Sequence, residues 1–559
     1  MSKIDFKENV AVLISFIILT IVFFYPHIVN WQETTFGEFD VYWFLWSIWH
    51  TEQRIDEGQN PFFTDITFAP YGADLSLTLG SYPLTLLLSY PLVKVFGLFG
   101  AYNILILSSF VLSGYFAYLL IFYLTKNSYG SFIGATIFSF SSQHLVQAIR
   151  HLNLVHIEFI PLFWFYLLKA FDKGQKKDWC ISGIILGLSI YVDVRLSLMT
   201  LISTVFLVFF LKPFKELRKT KMLVYFFIIA GVIALPQIII SVNGMFLGSN
   251  RAFSSFGFVL YYSPDLFNFF VPPPQSLFLG GYTAQIYKTL AFRDFDTTIY
   301  LGVVALFLSL LAIIKVKSVE YIKQTGLWIA TLSLGPLLKI FGGLVPMFLP
   351  FSIFVFLPIL NILRVPSRFN LIFMLIIGIL SSFGFVKLTE KKKKLDKILI
   401  FGILLFLIII ENYAILPQID QTSSLFYKNL EKEEKQTLIY VPFSLDVVDE
   451  GLAKRTYLQI EHKNKINIGV LSVVPNKVYG YYMSGCNREL YTLNFSECEK
   501  KDFVFPDDAK YLIFTKNNYE TYEFNTHEAN ATLTEKFGSN IYEDDELSVF
   551  CIQECSNYK

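Results

Sequence analysis

Charged residues are scarce in this sequence. Only 16% of its 559 residues are Asp, Glu, Lys or Arg, whereas 54% are hydrophobic and 18% are aromatic, and the mean hydropathy is +0.50. One water-soluble core cannot bury so much apolar surface. The net charge is only +1, so no overall field favours nucleic acid, and we expect no nucleic-acid partner. The composition therefore predicts an integral membrane protein in contact with membrane lipid.

Histidine and cysteine are also rare, with seven and five residues. Cys180 lies in an apolar run, whereas the other four cysteines fall in the last part of the chain, at Cys486, Cys498, Cys551 and Cys555. An even set would suit one or two disulfides in an exported domain, but spacing alone does not fix their connectivity, and four free thiols remain an alternative. The first apolar run, residues 10–25, lacks a small-residue cleavage site, so we expect it to stay as an anchor.

Long apolar runs recur along the first three quarters of the chain. A helix that crosses about 30 Å of hydrocarbon needs about 20 mostly apolar residues, and it satisfies its own backbone hydrogen bonds. We therefore predict an α-helical polytopic membrane protein with about eleven membrane helices, near residues 10–30, 101–124, 130–147, 156–172, 179–193, 196–211, 222–242, 298–316, 325–341, 367–388 and 397–417.

Lysine-rich connections predict the orientation of these helices. Cytoplasmic connections are enriched in Lys and Arg, and four such connections lie at residues 173–177, 212–221, 315–323 and 391–394. Eleven crossings place all four in the cytoplasm, together with the N-terminus. Because the number of crossings is odd, the chain after Leu416 lies outside. The count also requires the segment 83–96 to be interfacial or re-entrant. We expect the plasma membrane as the location.

The pattern changes near residue 418. Short alternating runs at residues 436–442, 511–515 and 547–550 predict strands between turns. We therefore divide the chain into a membrane domain, residues 1–417, and an extracytoplasmic soluble domain of α/β or mixed type, residues 418–559. Three outer connections of the membrane domain are long, residues 31–100, 243–297 and 341–366, and we expect the functional site there.

Two acids follow the first predicted helix, and they are the candidates for catalysis. Glu38 and Asp40 precede an aromatic, amphipathic stretch at the membrane surface. A partly desolvated carboxylate has a raised pKa and can act as a general base toward a hydroxyl group. The alternative is a capped interfacial helix whose acids are simply solvated.

Further ionisable residues gather at the outer ends of the predicted helices, where they suggest a polar substrate cavity. For Asp193 and Arg195 the alternative is a local ion pair without a role in the cavity. The histidines show no regular metal-ligand spacing, so we do not expect a metal site among them. The candidate cavity residues are Arg150, His151, His156, Asp193, Arg195 and Asp265.

Two arginines flank a proline in the third long outer connection. Arg364 and Arg368 lie on the outer side, against the usual orientation of positive charge. A guanidinium group matches phosphate oxygens, so we predict that both bind a lipid phosphate. The alternative is that they reach lipid headgroups without binding a specific ligand.

Three sequence segments resemble the GT-C superfamily of membrane glycosyltransferases. They are Gly37-Glu-Phe-Asp, Phe68-Ala-Pro-Tyr-Gly-Ala-Asp-Leu and Leu363-Arg-Val-Pro-Ser-Arg-Phe. The resemblance implies a polyprenyl-phosphate-sugar donor, an acceptor that is a lipid, a glycan or a protein, and inverting transfer on the outer face of the membrane. Transfer to asparagine is not indicated, since the sequence lacks a Trp-Trp-Asp motif.

The resemblance also implies roles for the candidate residues. Asp40 or Glu38 would be the catalytic base or a metal-associated acid, and Arg364 and Arg368 would neutralise the leaving phosphate. A divalent cation, Mg²⁺ or Mn²⁺, could bind the two acids, although the sequence contains no complete ligand set. Two other functions fit the same residues: a transporter or flippase of a lipid-linked sugar, and a membrane scaffold without catalysis.

Overall fold

The computed structural model describes residues 6–211, 222–247, 255–290, 295–357, 360–420, 424–430, 434–442, 450–471, 476–493, 498–516, 525–553 and 555. Helices dominate the first part of the chain, because its apolar residues come in runs too long for strands. In chain order they are α1 Phe6–Ile28, α2 Asp40–Asp56, α3 Pro83–Thr125, α4 Ser128–Ser139, α5 Ser142–Arg150, α6 Phe159–Lys173, α7 Lys176–Ser189, α8 Val194–Leu211, α9 Leu223–Leu247, α10 Phe256–Tyr261, α11 Gly280–Leu290, α12 Val303–Lys315, α13 Glu320–Ser333, α14 Ser352–Phe356, α15 Asn370–Thr389 and α16 Lys394–Asn412.

Five apolar stretches among the described residues are long enough to cross a membrane. They are Phe6–Tyr25, Pro83–Thr125, Val194–Leu211, Leu223–Val242 and Pro366–Thr389. Their apolar side chains confirm the expectation of an integral membrane protein. The count of eleven crossings and the orientation stay predictions, and one of the lysine-rich connections used for them, residues 212–221, lies outside the described residues.

Two predicted helices have different bounds in the structure. The run 130–147 is two helices, because Ser141 adopts the extended geometry of an N-cap between α4 and α5. The helix expected over 325–341 ends at Ser333, since Gly335 has a φ of +89° and the following Pro336 cannot continue a helix. A short β-hairpin begins there instead, at Leu337.

The segment 83–96, expected to be interfacial or re-entrant, is the first part of α3. The helix changes direction at Gly97, whose φ of +74° and ψ of 175° are not helical. A glycine tolerates this conformation because it has no Cβ. The bend separates Pro83–Phe96 from the rest of the helix, and the interfacial position of this segment stays a prediction.

The strands of the described residues form four small sheets. The first three are the antiparallel pairs of β1 Thr34–Phe36 with β6 Gln418–Asp420, β2 Phe63–Thr64 with β3 Ala73–Asp74, and β4 Leu337–Ile340 with β5 Gly343–Phe348. The fourth has the order β10-β11-β9-β7-β8, in which β7 is parallel to β8 and β9 and the other pairs are antiparallel. Its strands are β7 Thr437–Val441, β8 Lys465–Ile466, β9 Ala509–Thr515, β10 Tyr542–Glu543 and β11 Leu547–Cys551.

The strands expected near residues 436–442, 511–515 and 547–550 are therefore present, as β7, β9 and β11. Helices accompany this sheet at α17 Leu425–Leu430, α18 Glu450–His462, α19 Asn476–Tyr482, α20 Gly485–Thr492 and α21 Thr526–Phe537. The structure contains two disulfides, Cys486–Cys498 and Cys551–Cys555, so these four cysteines are not free thiols. Cys180 is free.

The last part of the chain packs against the first outer connection. Buried Trp46 of α2 donates a hydrogen bond from Nε1 to Oε1 of Gln459 at 2.8 Å, and Nε2 of Gln459 donates to the carbonyl of Ile66 at 2.7 Å. The backbone of Ile466 also bonds to Ile66 and to Ala69. Because buried polar groups hold their geometry when they are satisfied, these contacts fix α2, which begins at Asp40.

Candidate active site

The backbone before Asp40 is fixed by close packing at Gly37. This residue has a φ of +127°, and a Cβ there would lie 2.5 Å from the carbonyl oxygen of Ile149, so only glycine fits. The N–H of Gly37 donates to Pro417, and the N–H of Glu38 donates to Ile149 at 3.1 Å. The loop that carries both predicted acids is therefore held against the end of α5.

Glu38 is bound by an arginine. Nη2 and Nε of Arg150 lie 2.7 and 3.0 Å from Oε1 of Glu38, and the Arg150 guanidinium also lies over the ring of Phe39, 5.7 Å from its centroid. The charge of Glu38 is therefore balanced by a guanidinium group that binds it through two nitrogen atoms.

Asp40 is in a different environment. Its Oδ2 lies 3.5 Å from Nε2 of His151. Burial raises the pKa of Asp40 to about 6, and the negative charge of Asp296 adds to this effect, while Arg150 acts in the opposite direction. Because 31% of its side chain remains accessible to solvent, Asp40 can both titrate and meet a ligand.

His151 joins Asp40 to a buried arginine. Its Nε2 lies 3.3 Å from Nη2 of Arg368. Burial lowers the pKa of His151 to about 3, and the nearby Arg368 acts in the same direction, so the imidazole is neutral at pH 7. Its Nδ1 is buried without a hydrogen-bond partner among the described residues.

Arg368 is paired with an acid to which sequence analysis gave no role. Its Nη2 lies 3.0 Å from Oδ2 of Asp296, and Nε2 of Gln147 lies 3.4 Å from Oδ1 of the same carboxylate. Both charged side chains are 7% exposed. Burial alone would raise the pKa of Asp296, but Arg368 and His151 hold it well below its usual range. The available sequence signal was an acid in a long outer connection, shortly before the apolar run of α12.

Arg364 differs from Arg368 in exposure. It is open to solvent, and its guanidinium lies over the ring of Phe258, 5.2 Å from the centroid. The surrounding protein, together with the positive charges of Arg195 and Arg368, lowers the pKa of Arg364 to about 10. An accessible group in such a field attracts an anion.

The remaining predicted residues form local pairs. Nη2 of Arg195 lies 2.6 Å from Oδ2 of Asp193, which also accepts a hydrogen bond from Asn153 at 2.6 Å. This is the local ion pair that the sequence allowed as an alternative to a role in the cavity. Nδ1 of His156 lies 3.0 Å from Oε1 of Glu158, and both side chains are buried.

Asp265 has a capping arrangement. Its Oδ1 accepts from the N–H of Phe267 at 2.9 Å, and its Oδ2 accepts from the N–H of Gly342 at 2.8 Å. Asp265 is fully buried. Both oxygens are therefore occupied by backbone N–H groups, which favours a structural role over contact with a substrate.

The acids of the site do not form a metal cage. No group of three His, Cys, Asp or Glu side chains with metal-binding geometry occurs in the described part of the chain. Glu38 is paired with Arg150 and Asp296 with Arg368, so their charges are already balanced, whereas Mg²⁺ and Mn²⁺ need several available oxygens. The divalent cation stays a prediction.

Solved structures that are similar to this chain are glycosyltransferases of the GT-C class. The apo oligosaccharyltransferase of Archaeoglobus fulgidus has a TM-score of 0.55 at 13% identity, over 92% of this chain and 70% of that chain. The arabinofuranosyltransferase AftD from Mycobacteria has a TM-score of 0.55 at 10% identity, over 99% of this chain and 42% of that chain. ArnT from Cupriavidus metallidurans, bound to undecaprenyl phosphate, has a TM-score of 0.44 at 9% identity, over 97% of this chain and 98% of that chain.

The first two similarities show the fold of this chain, and they confirm the predicted resemblance to the GT-C superfamily at that level. No curated protein matches the sequence. The family described as "Domain of unknown function (DUF6311)" matches residues 9–410, which is most of the chain, and the protein therefore belongs to this family.

Proposed function

We propose that this protein transfers a sugar from a polyprenyl-phosphate-linked donor to an acceptor hydroxyl on the outer face of the membrane, with inversion at the anomeric carbon. The observation that carries the proposal is Asp40: a solvent-accessible carboxyl group with a pKa raised to about 6, next to neutral His151. The GT-C fold, which the glycosyltransferases above share, supports the reaction class. The two disulfides after residue 418 support an outer location for that part of the chain.

Asp40 acts as the general base in this mechanism. It takes the proton of the acceptor hydroxyl while the hydroxyl oxygen forms a bond to the anomeric carbon. The bond between that carbon and the phosphate oxygen breaks, and its electron pair leaves with the lipid phosphate. A base with a pKa near 6 is mostly ionised at pH 7, yet it is stronger than an ordinary carboxylate. Glu38, which is bound to Arg150, positions the loop.

Arg364 binds the donor phosphate. It has no carboxylate partner among the described residues, and it is exposed. Arg368 was expected to share this role, but its ion pair with Asp296 favours a supporting role, in which it contributes positive charge and orients His151. Since a phosphate is a good leaving group, no second carboxyl group is needed as a proton donor.

The proposal is tested by sugar transfer from a panel of polyprenyl-phosphate hexoses and pentoses, with the purified full chain in lipid nanodiscs and host lipids, glycans and peptides as acceptors. We expect glycosylated acceptor and free polyprenyl phosphate in equal amounts. Donor binding without release of polyprenyl phosphate across the panel, accompanied by movement of the donor between leaflets, would contradict transfer and favour a flippase.

We expect Arg364→Ala to weaken binding of polyprenyl phosphate by about 10- to 100-fold, because a hydrogen bond to a charged group contributes about 1.5–3 kcal/mol. The fold should be retained, since Arg364 is exposed. The measurement is a titration of the protein in nanodiscs with a fluorescent polyprenyl phosphate. Arg488→Ala, which removes an exposed arginine from α20, is the matched control. Equal affinities of the two variants would exclude Arg364 as the phosphate ligand.

A further inference from the structure

The hairpin of β4 and β5, residues 337–348, exposes large apolar side chains. Phe341 is 70% exposed and Phe348 is 71% exposed, and Leu344 and Met347 are about half exposed. The helix α14, which follows the hairpin, exposes further apolar side chains at Ile353 and Phe356. Monomeric soluble proteins rarely leave such a continuous apolar surface in water.

Charge is almost absent from this part of the chain. Between Lys323 and Arg364 the sequence contains one charged residue, Lys339. The Lys339 side chain is buried, and its Nζ donates to the carbonyl oxygens of Leu260 at 2.6 Å and Ser263 at 2.7 Å. The hairpin therefore presents no charge to its surroundings.

The exposure does not come from a loosely attached loop. The N–H of Gly342 is bound by Asp265, and the ring of Phe341 stacks on Phe267 with centroids 3.9 Å apart. Gly342 has a φ of +76°, and a Cβ there would lie 2.3 Å from the carbonyl oxygen of Thr289. Together with Lys339, these contacts hold the hairpin rigidly on the second outer connection.

The second outer connection extends the apolar surface. Over residues 255–290 it contains only two charged residues, buried Asp265 and exposed Lys288. Its exposed residues include Phe270, Phe278 and Tyr282, the last of which is 85% exposed. Tyrosine, with its apolar ring and polar hydroxyl group, is typical of the boundary between a membrane and water.

The backbone N–H and C=O groups of the hairpin limit how deep this surface can lie in a membrane. In the described part of the chain β4 and β5 pair only with each other, so the outer edge of each strand has N–H and C=O groups without a strand partner. The centre of a bilayer cannot satisfy such groups, and water would not accept the apolar side chains. The headgroup region meets both requirements. The chain also continues from the hairpin into the apolar stretch Pro366–Thr389, which is long enough to cross a membrane.

We infer that the hairpin of residues 337–348 is an interfacial membrane anchor, inserted at the boundary between lipid headgroups and acyl chains. This role goes beyond sugar transfer and does not depend on it. The anchor holds the second and third outer connections, and with them Phe258 and Arg364, at the level of the lipid headgroups.

A spin-label experiment on the full chain tests this inference. Nitroxides are attached to Leu344→Cys or Phe348→Cys in a Cys180→Ser background, in nanodiscs of phosphatidylcholine and phosphatidylglycerol. The ratio of collision rates with oxygen and with a water-soluble nickel chelate reports depth. Thr534→Cys, at an exposed position of α21, is the water control, and Val232→Cys, at an exposed position of the apolar helix α9, is the hydrocarbon control.

We expect both hairpin labels to give ratios above that of Thr534→Cys and below that of Val232→Cys. A ratio equal to the water control would show that the hairpin lies in water, and a ratio equal to the hydrocarbon control would place it too deep; either result overturns the inference. If the labelled variants do not fold, photo-crosslinking of the wild-type chain with headgroup-labelled phosphatidylcholine serves instead. The peptide of residues 337–357 should then carry the label, and its absence would likewise overturn the inference.

Discussion

Asp40→Asn should lower sugar transfer by about 10²- to 10⁴-fold, which is the usual contribution of a general base, and should leave donor affinity unchanged. Asparagine keeps the shape of the side chain but cannot accept the acceptor proton. The measurement is the turnover rate with the donor that the panel identifies, together with donor binding in nanodiscs. Glu33→Gln, which changes an exposed acid of the same outer connection, is the matched control and should retain full activity.

The pH profile gives a second readout of the same residue. A base must be ionised to act, and the pKa of Asp40 is raised to about 6. The kcat/KM of the wild type should therefore fall as pH decreases below about 6, and the residual rate of Asp40→Asn should lack this limb. Normal turnover by the variant, or the same acid limb in its profile, would exclude Asp40 as the base.

Stability should change in the opposite direction to activity. A carboxyl group whose pKa rises on folding favours the folded state when it is protonated, and this advantage is lost as pH rises from 3.8 through about 6. At pH 7 ionised Asp40 therefore costs folding free energy, which Asn does not. The melting temperature of Asp40→Asn should be equal to or above that of the wild type, which distinguishes a catalytic loss from misfolding.

Asp296→Asn should destabilise the protein by about 3–5 kcal/mol, because it leaves the buried Arg368 guanidinium without its counter-charge. Both side chains are 7% exposed and their nearest charged atoms lie 3.0 Å apart. The free energy of unfolding in detergent is the measurement. The control is Glu320→Gln, which breaks the exposed ion pair with Lys323 and should leave the free energy of unfolding nearly unchanged, because water and salt screen exposed ion pairs.

A double variant separates the pair from other effects of the substitution. Asp296→Asn combined with Arg368→Gln removes both charges, so it should recover part of the stability that Asp296→Asn alone loses. The double variant should nevertheless have lower activity than the wild type, since His151 would lose its contact with Arg368. A cost for Asp296→Asn no larger than that for Glu320→Gln would show that the pair is not a buried structural element of the site.

Local sequence was sufficient for several features. The long apolar runs predicted membrane helices, and alternation predicted β7, β9 and β11, because both patterns are set by the period of the backbone. The bounds were wrong where a single residue ended an element, as at Ser141 and at Gly335–Pro336. Local sequence also indicated four candidate site residues, because ionisable residues are rare in an apolar chain. They are Glu38, Asp40, Arg364 and Arg368.

The sequence by itself determined that this is a membrane protein with acids and arginines in the long connections between its apolar runs. Only the tertiary structure decided which of them form ion pairs with each other. Glu38 is paired with Arg150, 112 positions away, and Arg368 with Asp296, 72 positions away, and these pairings are the reason why we propose Asp40 as the base and Arg364 as the phosphate ligand. The pKa of a side chain depends on burial and on charges within a few ångströms, and residues distant in the sequence supply both.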